Sequence, residues 1–309
     1  MPIAKPLKQL LRRQLSRLHR DRPALLIFLF HALFENRQEI DTNRLDPQQR
    51  ITLEQMREFI LYFQRAGYEF PAPNRLRSEL NPAGKYILIT FDDGYFNNLR
   101  MLPLLQELGV PAVFFISTGN VQRQECFWWD VVHRERYKQG VPRTEISRQQ
   151  KQLKQLHHRQ IRQRLVDAFG TDCFNPWSDT DRPMTVSELQ SFAAEPLVYI
   201  GNHTSDHYIL DNYPEPEVIQ QIQQGQAELE QILGFSPQLI AYPNGNYSQA
   251  AIDAARHCGL QAGISLDKRK NYLPIDWQSD DAFHLGRFTL WGTQDISRQC
   301  DIFRSDIRL

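Results

Sequence analysis

Two short segments concentrate the residues able to do chemistry. In Ile89-Thr90-Phe91-Asp92-Asp93-Gly94-Tyr95 an apolar run ends abruptly in two carboxylates and a glycine, where α/β enzymes carry catalytic groups at strand ends. Neighbouring side chains on a strand point to opposite faces, but a turn at Gly94 lets both carboxylates enter one cleft. Two close carboxylates repel unless a cation or a proton lies between them. The second segment, Gly201-Asn202-His203-Thr204-Ser205-Asp206-His207, follows another apolar run. Histidines four apart share one side of a helical turn and can grip one metal ion through imidazole nitrogens. In a chain with nine histidines this spacing is weak evidence alone,. Asp93 completes a three-ligand set with His203 and His207, and three ligands with one open position are the pattern of a catalytic zinc. Water in that position has its pKa lowered toward neutrality. A third segment, Ala241-Tyr242-Pro243-Asn244-Gly245, is a turn that can aim a backbone N–H into the same cleft as an oxyanion donor.

The elements that must position these groups alternate between strand-like and helical patterns, as parallel α/β proteins do. Strands are expected at Leu25–Phe30, Tyr86–Phe91, Val113–Ile116, Leu197–Ile200, Gln238–Ala241, Gln261–Ile264 and Phe283–Leu290. Helices are expected at Thr52–Ala66 (capped by Thr52 and closed by Gly67), Leu99–Leu108, Glu217–Leu233 and Ala250–His257. Repeated units over this length predict an α/β fold, a (β/α) barrel or a close variant. Residues 121–196 interrupt the rhythm with Phe127-Trp128-Trp129-Asp130 and a Gln- and Arg-rich helical stretch from Glu145 to Phe169, and read as a helical insertion within one domain of residues 23–309. Residues 1–22 stand apart. Leu7, Leu10, Leu11, Leu15 and Leu18 recur at helical spacing among seven basic residues, a basic amphipathic helix that can lie on an anionic membrane face or pack on its own domain.

Composition narrows the function. Thirty-six basic residues balance thirty-six acidic ones, which disfavours a nucleic-acid partner. No apolar run approaches the ~20 residues of a membrane span. Cys126, Cys173, Cys258 and Cys300 lie far apart, so they read as reduced packed thiols rather than a zinc knuckle, redox pair or disulfide frame. The run Ala24–Phe30 is short and lacks a small-residue cleavage site, which favours a cytoplasmic protein, with peripheral contact on the inner membrane face through residues 1–22, over a secreted one.

Taken in order, the three segments resemble the polysaccharide deacetylases with a NodB homology domain, carbohydrate esterase family 4, over roughly residues 24–291. Thr90-Phe91-Asp92-Asp93-Gly94 is similar to that family's first motif, and His203-Thr204-Ser205-Asp206-His207 to its second. The resemblance implies a distorted (β/α) barrel of seven or eight strands and hydrolytic removal of N-acetyl groups from sugars. It implies Asp92 as general base and Asp93, His203 and His207 as ligands of one divalent metal, zinc or else cobalt, manganese or nickel. It also implies the Asn244 N–H as oxyanion donor, with Tyr242 and Pro243 at the substrate.

The chain departs from the family's commonest pattern in two places. Ala241 stands where an arginine usually tunes the base, and the late Leu-x-x-His motif that usually supplies the acid is out of register at His284. The branch concerned with bacterial exopolysaccharide is more similar, and there a histidine ending the first strand is a candidate acid, which His31 matches. Arg287 can replace the missing arginine by reaching Asp92 from the last strand, or serve equally as a plain structural ion-pair residue. Trp128 and Trp129 can stack on a sugar ring or pack in a core. The expected activity is metal-dependent deacetylation of N-acetylhexosamine units in a bacterial surface glycan or its precursor, with acetate released. A glycan-binding protein that has lost catalysis and an amide hydrolase acting on a non-sugar substrate are the alternatives.

Overall fold

The computed structural model describes residues 21–306. Eight strands among them form one sheet: β1 (Ala24–Phe30), β2 (Lys85–Phe91), β3 (Ala112–Ile116), β4 (Val198–Asn202), β5 (Leu239–Ala241), β6 (Ala262–Ile264), β7 (Asn271–Tyr272) and β8 (Arg287–Thr289). The order is β6-β5-β4-β3-β2-β1-β7, with β8 also on β1. β7 runs antiparallel to β1 and every other pair is parallel. A parallel bridge between Ile264 and Leu285 ties β6 to the segment entering β8 and draws the sheet into a distorted (β/α) barrel. Eleven helices accompany it: α1 (Arg37–Asp41), α2 (Leu53–Arg65), α3 (Leu102–Leu108), α4 (Thr118–Arg123), α5 (Trp128–Lys138), α6 (Arg143–Leu153), α7 (His158–Phe169), α8 (Val186–Ala193), α9 (Glu215–Leu233), α10 (Gln249–His257) and α11 (Ile296–Arg304). None of them is long and apolar enough to cross a membrane.

Period-two alternation divides the core. Leu25 and Ile27 of β1 join Tyr86, Leu88, Val113, Phe115, Ala241 and Ile264 inside the barrel, while Leu26, Phe28 and Phe30 face the helices. All seven residues of β1 are buried, as a strand covered on both faces requires. Phe28 meets Phe59 of α2 edge-on, with ring centroids 4.8 Å apart, and burial of each such ring stabilises the fold by about 1.5–3 kcal/mol. Thr52 caps α2 through a capping box with Gln55,.

Four local differences from the expected elements have physical causes. The expected helix Leu99–Leu108 is α only from Leu102, because Pro103 has no N–H to donate and suits a first turn,. A 3-10 turn, Phe96–Met101, precedes it. The expected strand Phe283–Leu290 is a 3-10 turn through Phe283, the bridge at Leu285 and only then β8. The stretch Glu145–Phe169 is two helices, α6 and α7, the second starting where the His157 N–H donates to Gln160. β7 was not anticipated; two residues are too short for a periodic signal,. The insertion begins with α4 at Thr118 rather than at 121, and its helices α5, α6 and α7 share a second apolar core with Ala32, Phe34 and Tyr95 from the loops after β1 and β2. The expected basic helix lies outside the described residues except for Asp21 and Arg22, which are not helical.

Candidate active site

The C-terminal ends of β1, β2, β4, β5 and β8 converge on one cavity of about 480 Å³. Asp92 leaves β2 on the interior face and is buried. Arg287, in register with Ile27 of the neighbouring β1, meets it with both guanidinium arms: Nη1 donates to Oδ1 at 2.8 Å and Nη2 to Oδ2 at 2.6 Å. Burial alone would push the Asp92 carboxyl up, but the adjacent guanidinium outweighs it and holds the pKa below the usual range,. A planar fork matched to a carboxylate fixes orientation as well as charge. Arg287 thus supplies the positive charge that faces Asp92 in the barrel interior.

Alternation would send Asp93 to the helix side. The turn reverses this, because Asp93 (φ 82°) and Gly94 (φ 91°) both take left-handed conformations, a strain that side-chain-bearing residues adopt mainly at functional positions. Asp93 is fully buried, and neither carboxylate oxygen receives a hydrogen bond. Opposite it stand His203 and His207, with Nε2 atoms 3.6 and 3.4 Å from Asp93 Oδ1. Ligand atoms of the three residues all lie within 4.8 Å of one another. The His203 Nδ1–H donates to the Ala241 carbonyl at 2.7 Å, which sets the tautomer and leaves Nε2 as a lone-pair donor,. A buried carboxylate with no partner and two imidazoles aimed at it fit a divalent metal ion. Burial would raise the Asp93 carboxyl, yet the two imidazoles hold it well below the usual range.

The histidine pair is not on a helical turn. Residues 203–207 form a loop in which Thr204 (φ 62°) and His207 (φ 52°) are left-handed. α9 holds this loop from behind: the Ser205 N–H donates to the Gln221 carbonyl, and the Asp206 N–H to the Gln221 side chain at 2.8 Å. Gly225 of α9 makes the approach close, since a Cβ there would lie 2.8 Å from the Thr204 carbonyl carbon. The Trp129 ring covers His207 with centroids 4.7 Å apart. Its indole N–H donates to Tyr95, whose hydroxyl donates to buried Asp130.

The remaining expected site residues divide. His31 lines the cavity, with Nδ1 2.9 Å from Gln49 Oε1. Asn244 lines it too, left-handed at φ 57°, its side-chain carbonyl accepting from Lys154 Nζ at 2.8 Å. Trp128 lines it while packed in the second core. Three residues are elsewhere. His284 is turned away against Arg269, Asp281 and the Tyr247 ring, because the 3-10 turn at Asp280–Phe283 precedes it where a strand was expected. Tyr242 alternates with the inward Ala241 and packs outside the barrel with Ile222, Ala251 and Ala255. Pro243 is buried in the turn and is not part of the cavity wall.

Sequence reasoning missed one wall. Arg143, Ser147 and Gln150 of α6, with Lys154 just beyond, line the cavity at spacings of four, three and four. Arg143 and Gln150 both bond Asp46. That periodicity was present in the Gln- and Arg-rich stretch, but a polar stripe on a helix usually faces solvent. Trp291, 42% exposed just beyond β8, was also missed.

Comparison with known proteins places this arrangement. No curated protein sequence matches the chain. Among solved structures, the IcaB structure from Ammonifex degensii aligns with a TM-score of 0.59 at 19% identity, covering 91% of this chain and 97% of that one. The Streptococcus pyogenes deacetylase PplD, solved with acetate, gives 0.59 at 14% identity over 90% and 97%. A de-N-acetylase from Aggregatibacter actinomycetemcomitans gives 0.58 at 15% identity over 90% and 98%. At these identities the likeness is one of fold. The sequence model of the polysaccharide deacetylase family matches residues 79–263, from just before β2 through most of β6 and across both chemical motifs. The chain belongs to the polysaccharide deacetylase family.

Proposed function

We propose that the protein is a metal-dependent hydrolase that removes N-acetyl groups from N-acetylhexosamine units of a bacterial glycan or its precursor. The observation that carries this reading is the juxtaposition of an unpartnered buried Asp93, two imidazoles aimed at it, and Asp92 clamped by Arg287 in one cavity. Asp93, His203 and His207 would hold the metal ion, which supplies Lewis-acid polarisation of the acetamide carbonyl and acidifies the attacking water. Asp92, kept ionised by Arg287, accepts the proton from that water as its oxygen bonds to the carbonyl carbon. The Asn244 backbone N–H steadies the developing oxyanion. His31, on the cavity wall, delivers a proton to the leaving nitrogen as the C–N bond breaks, so acetate and a free amine depart. The Arg287–Asp92 pair favours this enzymatic reading over a binding protein without catalysis, because the base keeps its electrostatic partner.

The test needs the purified protein, its metal content and acetate release from chitotetraose, beside Asp93→Asn and His207→Ala. About one zinc or similar ion per chain, lost in both variants together with acetate release, is the expected result. A wild-type protein that binds no divalent metal when offered it overturns the mechanism.

A further inference from the structure

Gln49 is 3% exposed and sits in the loop before α2, between two left-handed residues, Gln48 (φ 38°) and Arg50 (φ 56°). Its amide makes two hydrogen bonds of opposite sense. Nε2 lies 2.6 Å from the Leu29 carbonyl of β1, and Oε1 lies 2.9 Å from His31 Nδ1. A backbone carbonyl only accepts, so the NH2 must face Leu29 and the amide oxygen must face the imidazole. The imidazole nitrogen that meets an acceptor must be the one carrying hydrogen. We propose that Gln49 is a positioning residue that fixes His31 as the Nδ1–H tautomer, leaving Nε2 as the ring nitrogen that takes up a proton from solvent and passes it to the leaving nitrogen, after which the ring returns to the Nδ1–H form. The catalytic half of this inference rests on the proposed deacetylase reading; the tautomer itself does not.

The surroundings pin both partners. The Asn98 amide donates to the His31 carbonyl at 2.8 Å, and the Gly292 N–H donates to the Gln49 carbonyl at 2.8 Å. Gly292 must be glycine for that approach, since a Cβ would fall 1.9 Å from the Arg50 carbonyl oxygen. His31 is therefore held at its backbone by one loop and at its ring by another. An amide sets the tautomer without adding charge to a cavity that already holds Asp92 and Asp93,.

The experiment is long-range 1H–15N spectroscopy of the 15N-labelled full-length protein at a pH where His31 is neutral, its signals assigned with His31→Gln. Wild type is expected to show hydrogen on Nδ1 and a bare Nε2. Gln49→Leu is expected to lose that preference and to lower kcat on chitotetraose about 10- to 100-fold, with metal content and KM little changed. An unfolding midpoint and circular-dichroism spectrum of Gln49→Leu close to those of wild type guard against a variant that merely misfolds. Hydrogen on Nε2 in wild type, or an unchanged tautomer in Gln49→Leu, overturns the assignment. The spectra need no substrate, so they are read apart from the deacetylase assay. An active enzyme in which His31→Gln leaves kcat unchanged removes the catalytic half.

Discussion

Asp93 at the mouth of the barrel and Asp181 among the inserted helices are both fully buried, yet they keep different company. Asp181 receives Arg134 Nη1 at 2.5 Å, the Trp177 N–H at 3.0 Å and the Ser178 N–H at 2.8 Å, and the same guanidinium goes on to bond the carbonyls of Cys173 and Asn175. Asp93 receives no hydrogen bond from the protein. Burying an ionised carboxylate costs several kcal/mol unless partners offset it. In the insertion the protein supplies those partners itself, and the carboxylate holds the structure together. At the barrel mouth no N–H or O–H reaches the carboxylate, which faces two imidazoles instead.

Removing one charge from each region should have unequal consequences. Arg134→Met strands Asp181 in a site where both side chains have no exposure, and is expected to cost about 3–5 kcal/mol in urea unfolding. Asp93→Asn removes a charge that faces two imidazoles but accepts no hydrogen bond, so the metal-free variant should lose much less stability than Arg134→Met. Comparable destabilisation by both substitutions would erase the contrast.

A carboxyl between the two regions sharpens it with pH. Burial pushes Asp130 well above the usual carboxylate range, against the bond from Tyr95, with nearby Asp46 adding to the rise. Such a group is protonated when folded and ionised when unfolded, so its stabilisation is complete below the unfolded value near ~4 and is lost as pH rises toward the folded value, by at most about 1.4 kcal/mol per pH unit. Asp92 and Asp46, whose folded values are depressed, act in the other direction: their contribution is present above the unfolded value and lost as pH falls through the folded one. Urea unfolding at pH 5 and pH 8 should show Asp130→Asn gaining on wild type at the higher pH; parallel responses would show that Asp130 is ionised in the fold.

The smallest effect belongs to the cavity's exposed ring. Trp291→Ala is expected to raise KM for chitotetraose by about 3- to 10-fold, equivalent to about 1 kcal/mol of stacking, with kcat and stability retained. A loss confined to kcat would mean that Trp291 shapes the reacting centre rather than the sugar.

The barrel was legible because each buried strand is a compact apolar run that ends in a polar break, and because Gly67, Gly109 and Gly234 close helices where the periodicity stops. That Asp92, Asp93, His203 and His207 meet in one cavity could be read for a related reason: chain-local motifs at strand ends carry their own turn chemistry. What could not be read depended on direction. Tyr242 and Asn244 lie two apart in one turn, yet one packs against helices and the other lines the cavity. His284 follows an apolar stretch as a strand residue would, but a 3-10 turn rotates it out of reach. Gln49 had no signal at all, since a lone glutamine in a loop acquires meaning only when the fold sets it beside His31.

β1 is paired with β2 along all seven of its residues, with β7 at Ala24 and Leu25 and with β8 from Ile27 to Leu29. It has no free edge over most of its length. His31 just past its end and Arg287 on β8 are therefore mounted on one stiff ladder, beside the strand that leads into Asp92. Amide hydrogens of β1 should be among the slowest in the molecule to exchange with deuterium. Arg287 and Asp92, at two of the strands paired with β1, are thereby kept in register with each other.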